Sequence, residues 1–242
     1  MFRPGASFTG ERFGPAAGRG KSGVIFPDSL IGGGFPVLAD VQGKEHVASL
    51  GCLVTDGHTV YALTNRHVCG GPGEEVFGML GGQKVRIGRS SHKQLTRRPF
   101  EEVYEGWPGK NVYVNLDVGL IEVDNLNCWT AQVYGIGLMG KMADLSINIS
   151  LKLIGCPVRA YGCASGQIRG AVHGLFYRYK SVGGFEYVAD FLVGPQKDRP
   201  FAVNPGDSGM VLMLDTRARP CCNSRRARRT SASRSGVNIT RA

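Results

Sequence analysis

No stretch of this sequence approaches the roughly 18 consecutive apolar residues of a membrane-spanning helix, so no membrane partner is expected. The opening Met1-Phe2-Arg3-Pro4-Gly5-Ala6-Ser7 has no apolar core of the kind that a secretory signal carries, which predicts an intracellular, cytoplasmic location. Paired C-x-x-C with histidine spacing is missing as well. The seven cysteines are odd in number and scattered, and they read as reduced, buried thiols, with no metal site and no cofactor expected. Cys52 and Cys69 flank one histidine, and a bridge between these two stays open. A near-match to a phosphate loop, Gly18-Arg19-Gly20-Lys21-Ser22, fails because Pro15 stands where the first glycine must be, and this argues against nucleotide binding. Long amphipathic helices and repeats of solenoid period are also lacking, whereas 36 glycines break the chain into short runs. An all-β fold follows from that texture.

The last absence is of acids and lysines after Thr216. Residues 217–242 hold eight arginines and neither Asp, Glu nor Lys, so of the net +10 the tail carries +8 and the remainder of the chain only +2. Basicity therefore belongs to a separable tail that is expected to be disordered, and nonspecific nucleic-acid binding, if present, belongs there and not to the body. Residues 1–34, rich in Gly, Pro, Arg and Ser, read as a flexible lead. The body, 35–216, shows strand-like runs at Pro36–Val41, His46–Thr55, Thr59–Thr64 and Gln83–Arg89. Asp56-Gly57 marks a hairpin turn between the second and third of these. Residues 70–82 read as a glycine-rich connection, Ser90–Asn115 as a polar surface excursion, and a stretch near 125–145 as a linker between two halves. Strand-like runs return at 147–158, 166–179, 184–193, 201–203 and 210–215.

Three positions stand out for chemistry. Asn204-Pro205-Gly206-Asp207-Ser208-Gly209 is a glycine-framed turn that presents one hydroxyl, and the N–H groups of Gly206, Asp207 and Ser208 can line a hollow for an oxyanion. A serine hydroxyl is a weak nucleophile at neutral pH. It needs an imidazole to take its proton and a carboxylate to fix that imidazole's tautomer. His67, just past the hairpin strand, supplies the base, and Asp117, the one acid at the head of Leu116-Asp117-Val118-Gly119-Leu120-Ile121, the carboxylate. Each residue alone has an ordinary reading as a surface histidine, a strand-end cap or a tight turn. Jointly they assemble an acyl-transfer triad of His67, Asp117 and Ser208, with Gly206 and Ser208 as oxyanion donors.

These motifs resemble those of the trypsin-like (chymotrypsin-fold) serine peptidases. Thr64-Asn65-Arg66-His67-Val68 is similar to their histidine motif in its bacterial, HtrA-like form, Asp117-Val118-Gly119-Leu120-Ile121 to the aspartate motif, and Asn204 to Gly209 to the nucleophile motif. The plant Narrow leaf 1 type of trypsin-like proteins is a further point of resemblance. The likeness spans about residues 35–215 and implies a chymotrypsin-like double β-barrel, an active site between the barrels, and hydrolysis of peptide bonds in protein or peptide substrates through an acyl-enzyme. It also places Ala202 in the substrate pocket, where enzymes that cut after basic residues carry an acid.

Two departures matter. Met210 follows Gly209 where the family has a small residue, and only residues 210–215 precede the arginine-rich tail. The second barrel is thus expected to be incomplete at its C-terminal side and peptide turnover to be impaired. The alternative function is a catalytically weak or inactive trypsin-like fold that acts as a binding or regulatory module. Oligomeric state and cleavage preference have no signature in the sequence.

Overall fold

The structure, a computed structural model, describes residues 29–41, 44–106, 111–140, 151–181, 184–196, 200–215 and 238–240. Among these residues the regular structure is nearly all strand. The first half runs β1 (Ile31–Gly33), β2 (Pro36–Val41), β3 (Lys44–Ser49), β4 (Leu53–Thr55), β5 (Val60–Asn65), the one-turn helix α1 (Arg66–Cys69), β6 (Glu75–Leu80), β7 (Gln83–Ser90), β8 (Leu95–Pro99), α2 (Phe100–Val103) and β9 (Val112–Val123). After β10 (Trp129–Val133) and β11 (Gly137–Leu138) come β12 (Pro157–Gly162), β13 (Gly166–Lys180), β14 (Glu186–Gly194), β15 (Val211–Leu214) and β16 (Asn238–Thr240).

Two strand groups each enclose a core. The first buries Ile31, Val37, Leu50, Ala62, Val76, Ile87 and Ile121, and the second Val158, Ala160, Ile168, Val172, Phe191, Met210 and Leu212. A third cluster of Cys52, Leu63, Val133, Ile136, Val211 and Met213 joins β5 to β15 through the segment around 129–138. The residues read as a crossing linker therefore pack at the junction between the halves. Neither group is closed into a barrel by strand pairing among the described residues: one open path runs β16-β15-β12-β13-β14-β9-β7-β6-β2-β3, with β4, β5 and β8 attached through β5 and β9. This is an all-β arrangement built around two main cores, with no barrel closed among the described residues.

Period-two patterning explains most strands. In β12 every second residue is buried, Val158 and Ala160 among them, as a sheet with one covered face requires. β5 departs from alternation and is buried along nearly its whole length, because Ala62 packs into the first core and Leu63 into the third cluster, so that both of its faces are covered. The expected run His46–Thr55 is two strands, broken at Leu50–Cys52 where Gly51 meets the Gly209 carbonyl so closely that an added Cβ would lie 2.8 Å from it.

Some expectations need correction. The connection read over 70–82 contains β6, paired with both β2 and β7. The polar excursion over 90–115 contains β8, whose pairing with β9 supplies the order that its exposed Leu-Thr-Arg-Arg sequence does not advertise. It also contains Phe100, 1% exposed. Residues 201–203 are not a strand. At the ends, residues 1–28 of the expected lead and 217–237 and 241–242 of the expected tail lie outside the described residues; Ile31 is already buried in β1, and β16 pairs with β15.

Candidate active site

The β4–β5 hairpin sets the first part of the site. Asp56 Oδ1 accepts from His58 N and Thr59 N at 3.0 and 2.8 Å, Gly57 takes φ +94° as the turn demands, and the register runs Thr55↔Val60 to Leu53↔Ala62. Held between β4 and β9, β5 ends at Asn65 in extended conformation and gives way to α1. Val68 and Cys69 face the core, which turns His67 outward with its side chain 55% exposed.

Asp117 meets it from β9. Alternation of burial along β9 fails at 116–118, where Asp117 adopts φ +39°. β8 pairs through Leu95↔Val118 and then Arg97↔Asn115, so the ladder skips 116–117 as at a bulge. This frees Asp117 to leave the pleat. Its Oδ2 lies 2.5 Å from His67 Nδ1 and accepts from Asn65 Nδ2 at 3.0 Å, and its Oδ1 accepts from His67 N at 3.2 Å. Gly119 makes the approach of the two elements feasible: a Cβ there would stand 2.3 Å from Cys69 Sγ and 2.8 Å from the Asn65 carbonyl.

The electrostatics follow from these contacts. The hydrogen bond to Asp117, reinforced by its charge, raises the His67 pKa above the ordinary 6.5 against the opposing effect of partial burial. Burial pushes Asp117 up, but the hydrogen bonds from His67 and Asn65 outweigh it and hold the carboxyl below 3.8. With the Nδ1 proton engaged by Asp117, Nε2 is the nitrogen left to accept a proton.

The serine turn is fixed from below. Gly206 and Gly209 take φ +109° and +93°, closed to ordinary side chains, and a Cβ on Gly209 would stand 2.2 Å from the Ser49 carbonyl and 2.3 Å from Thr64 Oγ1. Ser49 is the joint between the two motifs. Its N–H donates to the Ser208 carbonyl at 2.7 Å, its carbonyl accepts from Thr64 Oγ1 at 3.0 Å, and its hydroxyl donates to the Gly206 carbonyl at 2.8 Å while accepting from Cys163 N at 2.9 Å. The strand that leads to His67 and the turn that carries Ser208 thus share one buried residue.

Asp207, 1% exposed, anchors the same turn on its other side. Its carboxylate accepts from Ala164 N (3.1 Å), Ser165 N (2.9 Å), Ser165 Oγ (2.5 Å) and Asn204 N (2.8 Å). A buried carboxylate is tolerated only with such partners. Asp207 N donates to the Asn204 carbonyl, so it is spent and does not join the hollow expected of it. Among the described residues the N–H groups of Gly206 and Ser208 and the Ser208 hydroxyl have no hydrogen-bond partner.

The structure therefore brings His67 and Asp117 into direct contact and ties the Ser208 turn to the histidine strand through Ser49, without a hydrogen bond between His67 and Ser208. Ala202 is exposed and borders an open cleft of about 450 Å³ lined also by Ala164, Ser165, Ile168, Arg169 and Asn204. Cys52, Cys69 and Cys163 are buried free thiols, the first pushed by burial to about 12 and the last to about 11, so they are inert and the Cys52–Cys69 bridge is not formed. Sequence reasoning assigned no role to Asn65 or to the Asp207 carboxylate, although both stand inside the quoted motifs, and it missed Ser49 and Ser165, which carry no local signature. Among the described residues, no three His, Cys, Asp or Glu side chains cluster as metal ligands would, and no helix is long and apolar enough to cross a membrane.

A relative from Bradyrhizobium tropiciagri, named as a probable serine protease, is 49% identical over 192 residues, which are 79% of this chain and 24% of the relative. The chain thus spans about a quarter of that relative's length. Among solved structures, Thermobifida fusca Protease A aligns with a TM-score of 0.43 at 18% identity, covering 76% of this chain and 77% of its own. Nocardiopsis Protease aligns with a TM-score of 0.45 at 18% identity, covering 76% and 78%. The model of the Nal1 C-terminal domain matches residues 102–224, a span that takes in both Asp117 and Ser208 and just over half of the sequence. On that match, the chain belongs to the Nal1 C-terminal domain family.

Proposed function

We propose that the protein is a serine peptidase that cleaves peptide bonds through an acyl-enzyme. Ser208 is the nucleophile, His67 the general base, Asp117 the group that orients and charges the imidazole, and the N–H groups of Gly206 and Ser208 the oxyanion donors. The observation that carries this reading is the His67–Asp117 pair: a histidine turned to solvent, its Nδ1 2.5 Å from a carboxylate that is itself fixed by Asn65, with the serine turn held to the same strand through Ser49.

In the first step Ser208 Oγ attacks the substrate carbonyl while its proton passes to His67 Nε2. Asp117 keeps the imidazole in the Nδ1–H tautomer and stabilises the imidazolium, and the negative charge that develops on the carbonyl oxygen falls between two backbone donors. His67 then returns the proton to the departing amine, and water repeats the sequence on the acyl-enzyme. The cleft beside Ala202 is the proposed seat of the substrate side chain next to the scissile bond.

The test is covalent. A fluorophosphonate should add one mass equivalent to the full chain, the modified peptide should contain Ser208, and Ser208→Ala should not react. Equal modification of the Ser208→Ala protein would refute the assignment.

A further inference from the structure

The sheet that carries Asp117 has a second group of side chains on its solvent face. β8, β9, β14 and the far half of β13 lie side by side, with Arg97↔Asn115, Tyr113↔Tyr187 and Tyr187↔Tyr179 as neighbours. One face packs Val112, Val114 and Val188 against Phe100. By strand alternation the other face presents Arg97, Tyr113, Phe185, Tyr187, Tyr179 and Tyr177, so that four of the chain's eight tyrosines stand together. Tyr177, Tyr179 and Tyr187 form a stacked row with centroids 6.1 and 5.6 Å apart. Tyr177 is 48% and Phe185 42% exposed, which is costly for rings unless something covers them.

Arg97 indicates what that something carries. Its guanidinium lies 4.8 Å from the centre of the Tyr113 ring and 4.4 Å from that of Phe185, and Nη1 donates to the Tyr187 hydroxyl at 3.3 Å. Among the described residues it has no acidic partner, whereas Arg98 pairs with Glu102 at 3.0 Å and Arg178 with Glu186. Two aromatic faces fix the guanidinium plane and so remove much of the rotamer freedom that binding would otherwise cost, while most of its five donors stay open. A planar, preset, unpaired guanidinium is built for a carboxylate.

Its position connects it to the chemistry. Arg97 is the ladder neighbour of Asn115, two residues before Asp117 on β9, so the shelf and the acid of the proposed triad are carried by one strand. The net charge of 0 over the body, residues 35–216, suits a short acidic segment better than a long polyanion. We propose that this shelf is a substrate subsite for an Asp or Glu side chain, with its stem on Tyr113 and Phe185 and its carboxylate on Arg97. For its ligand the proposal rests on the peptidase reading.

Binding is measured by fluorescence anisotropy on the full chain carrying Ser208→Ala, so that no turnover is required. The probes are a fluorescein-labelled octapeptide with two glutamates and its glutamine counterpart. The glutamate peptide is expected to bind about tenfold more tightly, as a charge-assisted bidentate contact provides, and Arg97→Gln added to Ser208→Ala should bring the ratio to within about twofold. Tail arginines attract both proteins' ligands alike, so only the loss caused by Arg97→Gln counts; because Arg97 is exposed, an unchanged Tm is expected to show that the variant is folded. A ratio that Arg97→Gln leaves intact overturns the proposal. So does an oligouridylate whose binding falls with Arg97→Gln while the peptides' does not, which would assign the shelf to nucleic acid. An Arg97-dependent preference in a protein whose Ser208 never reacts with a fluorophosphonate would refute the peptidase reading and leave the acidic-peptide site standing.

Discussion

At Asp117 a single residue accepts a strained backbone, φ +39° for a side chain with a Cβ, and spends the strain on geometry. Its carboxylate makes three hydrogen bonds that an unbroken strand would deny it. Asp117→Asn keeps the size but loses the charge and offers the wrong tautomer to His67, so kcat is expected to fall by about 10⁴ with little change in KM. The pair also has a pH window. The raised His67 pKa contributes stability that is present in full below the ordinary 6.5 and lost as pH rises through the folded value. The lowered Asp117 pKa contributes stability present above 3.8 and lost as pH falls through its own folded value. Stability from the pair is therefore greatest between about pH 4 and 6.5, while catalysis, which needs neutral His67, gains on the alkaline side.

Asp207 belongs to the same scale. Asp207→Ala would leave three part-buried N–H groups and the Ser165 hydroxyl without their acceptor, and a loss of about 3 kcal/mol in urea unfolding is expected. A shift in urea midpoint worth less than about 1 kcal/mol would mean that the turn does not depend on this anchor.

At the scale of elements, close approach decides the site more than propensity does. Gly119→Ala would drive a methyl group to 2.3 Å from Cys69 Sγ and force α1 away from β9. His67 should then lose part of its contact with Asp117, and its pKa, followed by NMR of the imidazole protons, should drop toward 6.5 while labelling of Ser208 slows. The β4–β5 hairpin was legible in the sequence because Asp56-Gly57 carries its turn chemistry locally, and so were the strands at Pro36–Val41 and Gln83–Ser90 with their apolar patterning. β8 was not, because Leu95–Pro99 is exposed and charged, and a strand ordered by its neighbour leaves no apolar period to read. Ser49 was not legible either. Its four contacts come from Thr64, Cys163, Gly206 and Ser208, up to 159 residues away in the chain, and no local motif encodes such a joint. His67, Asp117 and Ser208 could be singled out because each lies in a short motif whose residue types only a narrow chemistry requires.

For the whole molecule, charge and fold are separate matters. The tail's +8, against +2 for all of the chain before it, predicts that any affinity for single-stranded nucleic acid falls steeply with salt and disappears on truncation after Thr216. A truncated body that still shifts an oligonucleotide at ~50 mM salt would show that the basic surface lies elsewhere. The cluster of Cys52, Leu63, Val133, Ile136, Val211 and Met213 joins β5 to β15, so in the proposed triad the base and acid come from β5–α1 and β9 and the nucleophile from the turn before β15. The measurement that bears most directly on this account is the rate of fluorophosphonate attachment at Ser208 as a function of pH. The rate should rise with pH along a single-proton curve whose midpoint lies above 6.5, and it should fall by orders of magnitude in His67→Ala. A rate independent of pH between about 5 and 9, or one that His67→Ala leaves unchanged, would contradict it.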